Sequence, residues 1–372
     1  MTRDLPHLNR MVVKIGSSSL CGADNKIQES QIIEVTRQVA SLTQQNIDVV
    51  LVTSGAVAAG VGHLQDKIPS LENNQAAAAI GQPILMGTFQ KYFQAYDLNT
   101  AQLLLTHDDF QSRRRYLSAR NTINYLLNNQ VIPIINENDS VSTEEIRFSD
   151  NDYLGALCTN LVSADLFVIL SNIDGIADKD PREHADASIY EELSLPDLDS
   201  LQDKFASEKV RGLGRGGIST KLEAPSMAGR YGVPSIIANS REENVLLRIV
   251  KGEALGTLVR PEASQLNSRR AYIAHALKPK AKIIIDEGAA RALEKSKASL
   301  LASGIISTEG NFERGDGISC CIEDGTEVMR GIVEYSRDEV QKIAGHRSNE
   351  IGSILGYKHR RSVIHRENMV GI

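Results

Sequence analysis

The chain has 372 residues, 41% hydrophobic and 24% charged, which excludes a disordered or fibrous protein and predicts two to three domains. Its 47 Asp and Glu against 41 Lys and Arg give a net charge of −6, so only a local basic patch could meet a polyanion. No apolar run approaches the ~18 residues of a membrane span, and residues 1–10 lack a signal-peptide core, so a cytoplasmic location is expected.

The predicted strands are Met11–Ile15, Asp48–Thr53, Ala101–Leu105, Val131–Ile135, Leu166–Leu170 and Val233–Ala238. Most are continuously apolar, as suits parallel strands covered on both faces. Helical patterns fall between them, at Gln28–Gln45, Asn73–Tyr96, Ser112–Asn128, Asn151–Val162 and Thr220–Tyr231. The order implies an α/β fold, an open and mostly parallel sheet sandwiched by helices, with ligands at the carboxyl ends of its strands. After a linker at about 261–274 the elements shorten. Brief strands at 283–285, 304–307, 317–322 and 331–335 surround one helix, Glu287–Ser296. The expected domains are therefore 1–260 and a small β-rich unit at 275–372. Cys21, Cys158, Cys320 and Cys321 have no CxxC spacing and read as reduced, buried small hydrophobes.

Five segments could carry chemistry. After the first strand, Lys14 precedes Gly16, Ser17 and Ser18, a turn in which backbone amides can form an anion nest. An ordinary strand-ending turn is the plainer reading. After the second strand, Ser54, Gly55 and Ala56 open an Ala-rich helix, either as an anion acceptor or as an N-cap by Thr53 or Ser54. Asn136-Glu137-Asn138-Asp139 and Asp150-Asn151-Asp152 concentrate carboxamides and carboxylates able to orient an ammonium group or hold a lysine. Asx-turn and capping chemistry is the alternative there. Ser171 and Asn172 end the fifth strand, where a nucleotide could lie. The run Gly212 to Lys221, with Gly216, Gly217, Ile218, Ser219 and Thr220 leading into a helix, is the strongest local phosphate signal. It is no Walker loop, because the chain has no Gly-Lys dipeptide. Histidines are scattered, with no HExxH, and no metal ligand set is predicted.

Taken together and in this order, these motifs resemble the amino acid kinase superfamily, and within it the branch acting on the γ-carboxylate of L-glutamate. The part from Asp286 to Asp316 is similar to a PUA domain. The resemblance implies phosphoryl transfer from ATP, with Mg²⁺, to L-glutamate on the way to proline, with proline as inhibitor. It also implies a homo-oligomer and coupling to a glutamyl phosphate reductase. Carried over by position, Lys14 and Lys221 would contact ATP phosphates and Asp152 would hold both lysines. Gly16, Ser17, Ser171, Asn172 and residues 216–220 would surround the nucleotide. Ser54, Asp139 and Asn151 would bind glutamate, helped by Gly55, Ala56, Asn136 and Asp150. Asn172 stands where such proteins usually have Asp, so that contact would be a hydrogen bond without the negative charge. A second reading is an RNA-binding or regulatory protein, supported by Lys358-His359-Arg360-Arg361 and Arg366 near the C-terminus. A solvated tail explains the same residues.

Overall fold

The computed structural model describes residues 2–22, 27–64, 70–111, 113–141, 151–179, 184, 186–210, 218–261, 279–296, 298–357 and 360–371. They fall into two compact units: residues 1–112 with 118–262, and residues 263–372 with 113–117. No helix among the described residues is long and apolar enough to cross a membrane.

The first part of the chain runs β1 (Arg10–Ile15), α1 (Ser17–Leu20), α2 (Glu29–Gln44), β2 (Asp48–Thr53), α3 (Ala56–Val61) and α4 (Leu71–Phe93). Next come β3 (Asn99–Leu105), α5 (His107–Gln111), α6 (Arg113–Asn128), β4 (Val131–Glu137), α7 (Asn151–Val162) and β5 (Leu166–Ser171). It ends with β6 (Glu192–Ser194), α8 (Leu195–Val210), α9 (Ile218–Arg230), β7 (Ser235–Asn239), α10 (Val245–Val250) and β8 (Thr257–Arg260).

Eight strands make one sheet in the order β3-β4-β2-β1-β5-β7-β8-β6. The six from β3 to β7 in that order are parallel, matching the expected architecture. Apart from edge strand β3, where only Leu105 is buried, their apolar runs are buried on both faces; Met11, Val12, Val13 and all of β5 are inaccessible or nearly so. Each such side chain contributes roughly 1.5–3 kcal/mol by leaving water. The sheet departs from expectation at one edge. There β8 runs antiparallel to β7, and β6 pairs parallel to β8. Three- and four-residue strands carry too little apolar pattern to be read. Helix α8 was also unexpected; its first turn buries only Leu195 and Leu198. Gly16 leads not into an open turn but into the short helix α1.

Helices α3 and α4 cross with their backbones in close contact. A Cβ on Gly60 would sit 1.8 Å from the Ala77 carbonyl oxygen, and one on Gly81 would sit 1.9 Å from that of Ala56. Two glycines facing each other's backbone thus bring Ala56 and Gln82 to one wall. Two residues beyond Gly81, Pro83 lies inside α4 and has no N–H to give the Ala79 carbonyl.

The second unit holds β9 (Ala281–Ile285), α11 (Glu287–Ser296), β10 (Ile305–Glu309), β11 (Gly317–Cys321), β12 (Glu327–Ile332), α12 (Arg337–Ile343), α13 (Ile351–Leu355) and β13 (Met369–Gly371). Its five-stranded sheet has the order β10-β9-β11-β12-β13, parallel only between β9 and β11. The strand expected at 331–335 starts earlier, because Gly325 turns the chain at φ +90° and lets β12 pair from Glu327. Two helices beyond the expected one appear. The first opens with a capping box: Glu339 accepts from the Ser336 N–H, and the Ser336 side chain accepts from the helix backbone. In the C-terminal stretch the basic side chains of Arg360, Arg361 and Arg366 are exposed, while the chain around them is tied into the unit. Val363 and Ile364 are fully buried, the Leu300 carbonyl accepts from Val363, and the Tyr335 hydroxyl donates to the Arg360 carbonyl. All four cysteines are buried, and Cys158, Cys320 and Cys321 are free thiols. Burial pushes the Cys158 and Cys320 thiols up, Cys320 to about 12, so both stay protonated.

Gly81→Ala is expected to lower the stability of the first unit by about 1–3 kcal/mol, the usual cost of overpacking. Urea unfolding measures it, and a midpoint equal to the parent's would mean that α3 and α4 do not cross this closely.

Candidate active site

Parallel pairing brings the strand ends to one level. Ile15 lies opposite Thr53 on β2 and Leu170 on β5, and Val52 lies opposite Ile135 on β4. Gly16, Ser54, Ser171 and Asn136 therefore leave the sheet along a single edge. The sequence-predicted residues on β1, β2, β4 and β5 are brought together there.

Lys14 is the one lysine inside the sheet's core among the described residues. Its Nζ is 2.5 Å from Asp152 Oδ1, with the two side chains only 6% and 2% exposed. A buried ammonium without a carboxylate would cost several kcal/mol in desolvation, so the pair fixes α7 against β1. Gly155, one turn after Asp152, makes the approach possible. A Cβ there would stand 2.8 Å from the Phe167 ring and 3.4 Å from Lys14 Cβ. Gly16 keeps space beside the same ammonium; a Cβ there would be 3.6 Å from Lys14 Nζ. Ser17 is exposed at the start of α1, and Gly16 donates its N–H to the Leu170 carbonyl at 3.2 Å.

Lys221 is the fourth residue of α9, which packs against α7, the helix of Asp152. Gly216 and Gly217 lie outside the described residues, as do the side chains of Ile218, Ser219 and Thr220 and the whole of Asp150. Ser171 is buried, and its hydroxyl donates to Asn172 Oδ1 at 3.3 Å; Asn172 itself is exposed. Beside them Ser240, which the sequence did not single out, donates its N–H to the Ser171 carbonyl and bonds Ser19 through its hydroxyl at 2.8 Å.

On the other side of Lys14 the edge is built from neutral amides. Asn151 Nδ2 donates to the Thr53 carbonyl at 2.7 Å, to Ser54 Oγ at 2.9 Å and to Asn136 Oδ1 at 2.9 Å. Asn136 in turn donates to Gln82 Oε1 at 2.8 Å, and Gln82 Nε2 to Gln102 Oε1 at 3.2 Å. Sequence reasoning missed both glutamines. Their one available signal was a polar Gln82 beside Gly81, on the small-residue face of α4. Nor does Thr53 or Ser54 cap α3. Gly55 does so, in the left-handed region at φ +101°, with no side-chain cap. This strained position leaves the Ser54 hydroxyl to Asn151.

The amides border a cleft of about 320 Å³ lined by Ala56, Gln82, Gln102, Glu137 and Asp139, with Ala79 and Pro83 from α4. Behind its lining, Asn151 Oδ1 is buried with no hydrogen-bond partner among the described residues. Burial pushes the Asp139 carboxyl above its usual range. Between Lys14 and these acceptors the edge can hold an anion at one end and an ammonium at the other. No group of three or more His, Cys, Asp or Glu among the described residues is arranged to hold a metal ion. In the second unit, Arg360 of the basic C-terminal stretch lies 3.6 Å from the Glu334 carboxylate, while Lys358 and His359 lie outside the described residues.

Comparison with known proteins fits this geometry. A model of the "Amino acid kinase family" matches residues 9–239, and a "PUA domain" model matches residues 281–355. A glutamate 5-kinase of Marinomonas sp. is 44% identical over 372 residues, covering 100% of this chain and 99% of that protein. A glutamate 5-kinase of Caldanaerobacter subterraneus is 44% identical over 97% of each chain. Among solved structures, the carbamate kinase of Giardia lamblia bound to AMP-PNP has a TM-score of 0.50 at 16% identity. It covers 68% of this chain and 99% of its own, a likeness of fold alone.

Asp139 gives a pH test. A carboxyl whose folded-state pKa is raised contributes most below its unfolded value, about 3.9, and stability falls as pH rises through the folded value. Asp139→Asn escapes that loss. It should melt higher than the parent at about pH 7, with the difference vanishing below about pH 4. A variant no more stable at neutral pH would mean that some cation already compensates Asp139.

Proposed function

The chain belongs to the amino acid kinase family, and we propose that it transfers the γ-phosphoryl group of ATP to the γ-carboxylate of L-glutamate. The product would be L-glutamyl 5-phosphate, the first intermediate toward proline. One observation carries the reading: a buried, carboxylate-anchored lysine stands on the same strand edge as a cleft lined by the Glu137 and Asp139 carboxylates. Such an edge suits an amino acid whose ammonium meets these carboxylates while its side-chain carboxylate turns toward Lys14. The names borne by the 44% identical relatives support the same substrate.

The chemistry asks little of a base. A glutamate carboxylate, with pKa about 4.3, is already ionised at neutral pH. One of its oxygens forms the new bond to the γ-phosphorus, and the bond to the β-bridging oxygen breaks, releasing ADP. The obstacle is the approach of one anion to another and the charge spread over the transferring group. Lys14 answers it from the end of β1, held at a fixed position by Asp152. Lys221, on the helix packed against α7, would supply the second positive charge, with Gly216, Gly217, Ile218, Ser219 and Thr220 about the phosphates. Gly16 and Ser17 would face the phosphates at the end of β1. Ser171 and Asn172 would border the nucleotide through hydrogen bonds, without the negative charge of an aspartate. Ser54, Gly55, Ala56, Asn136 and Asp150 would complete the amino acid site.

Mg²⁺ bound with ATP would neutralise phosphate charge. Beside Lys14 the one carboxylate among the described residues is the lysine-paired Asp152, so the ligands of Mg²⁺ would be phosphate oxygens and water, with no protein ligand assigned. The reading extends to a cytoplasmic homo-oligomer inhibited by proline, whose product passes to a glutamyl phosphate reductase.

Hydroxylamine trapping with ADP release, run across acidic amino acids, tests the proposal. A hydroxamate is expected from L-glutamate, and one formed only from another acid would overturn the substrate. Lys221→Ala should lower turnover by about two orders of magnitude or more while the fold persists, and Lys14→Ala should do so together with a loss of stability, because Asp152 is left buried without its partner. Near-parental rates in both would remove their assigned roles.

A further inference from the structure

Gln82 joins the amide chain to the cleft without reaching the strand edge itself. A carboxamide can present either its oxygen or its nitrogen, so a chain of them has no inherent direction. Here two backbone groups impose one. The Thr53 carbonyl can only accept, and it lies 2.7 Å from Asn151, so Asn151 must turn Nδ2 to it. The Glu137 N–H can only donate, and it lies 2.9 Å from Asn136 Oδ1, so that oxygen is fixed. Asn136 must then offer Nδ2 to Gln82 Oε1, and Gln82 must offer Nε2 to Gln102 Oε1. With its oxygen occupied, Gln102 has its amide hydrogens left for the cleft it lines. At the opposite end Asn151 retains a buried, unpartnered oxygen.

We infer that this relay, fixed at its far end by Asn151, sets Gln102 as a donor to the cleft, and that Gln82 is the positioning residue that does so. With the Glu137 and Asp139 carboxylates lining the same cleft, it selects a small molecule carrying both an ammonium and a carboxylate. The inference rests on the proposed amino acid kinase activity for its ligand, L-glutamate. The ionisable groups lining the cleft with Gln82 are Glu137 and Asp139. Helix α3 and strand β3, which pack on α4, carry none. Helix α2 also packs on α4. It brings Glu29, paired with Lys91, and the Glu34–Arg37 pair.

Gln82→Glu keeps size and shape and reverses the relay in a pH-dependent way. Ionised, the introduced carboxyl only accepts, so Gln102 must turn its nitrogen inward and its oxygen to the cleft. Protonated, it again has one accepting oxygen and one donating hydroxyl. At alkaline pH the KM for L-glutamate should rise about tenfold or more, the worth of one hydrogen bond to a charged group. The KM for ATP should not move. The ratio of variant to parent KM, taken at each pH so that Glu137 and Asp139 cancel, should fall toward one as pH is lowered. Gln82→Met breaks both bonds and should raise the glutamate KM by a factor independent of pH. A ratio near one at every pH for either variant overturns the inference. So does a rise for Gln82→Glu that ignores pH or extends equally to ATP. If the parent forms a hydroxamate only from a different amino acid, the glutamate reading fails. The same ratio measured on that acid then decides the relay separately.

Discussion

A lysine ammonium buried at the end of a central parallel strand must have a carboxylate within reach, and the architecture around the site follows from meeting that requirement. Leaving Lys14 unpaired in the core of the sheet would cost several kcal/mol, a large part of what keeps a domain folded. Asp152 meets it from α7 at 2.5 Å. For α7 to come that near, its face toward the sheet must carry no side chain where Phe167 and Lys14 stand, and Gly155 provides this. The same helix begins with Asn151, so the ion pair that neutralises Lys14 also sets where the amide chain starts. Electrostatics, helix packing and ligand geometry are thus one constraint seen at three scales.

The two halves of the strand edge solve opposite problems. Around Lys14 the protein uses full charges, compensated and dehydrated, where a phosphoryl group would spread negative charge. Around the cleft it uses carboxamides, whose dipoles are fixed by neighbours and do not titrate. Preorganised dipoles of this kind act on a ligand without reorganising when it arrives. The α3–α4 crossing is what makes the second half possible. Gly60 and Gly81 let the helix backbones meet, and Gln82 is carried into reach of Asn136.

Much of this was legible in the sequence, for identifiable reasons. Continuous apolar runs such as MVVKI and LFVIL can only be strands buried on both faces, and a lysine at the end of such a run stands out against them. The polar segments at 136–139 and 150–152 exceeded what turns need. Other features depend on contacts that no local pattern carries. Gln82, Gln102 and Asn136 are separated by 20 and 34 residues in sequence and meet only because β3 and β4 pair and α4 packs beside them. Gly155 reads as an ordinary helix glycine until Phe167 is placed opposite it. Strands β6 and β8 are too short to show a period. The capping box at Ser336 and Glu339 is different: its Ser-x-x-Glu pattern was readable, but the glycine-punctuated stretch around it drew the reading toward strands.

The cleft also shows where the molecule leaves stability unspent. Lys14 and Asp152 satisfy each other in the absence of any ligand, so that half of the edge contributes to the fold. Asp139 and Asn151 Oδ1 do not. One is a carboxyl whose burial opposes its ionisation, and the other is a buried oxygen without a donor. Each such group costs free energy unless a partner of opposite polarity meets it. Lys14 already has such a partner in Asp152. Phosphate binding at this edge would therefore draw on added positive charge, the part proposed for Lys221 on α9.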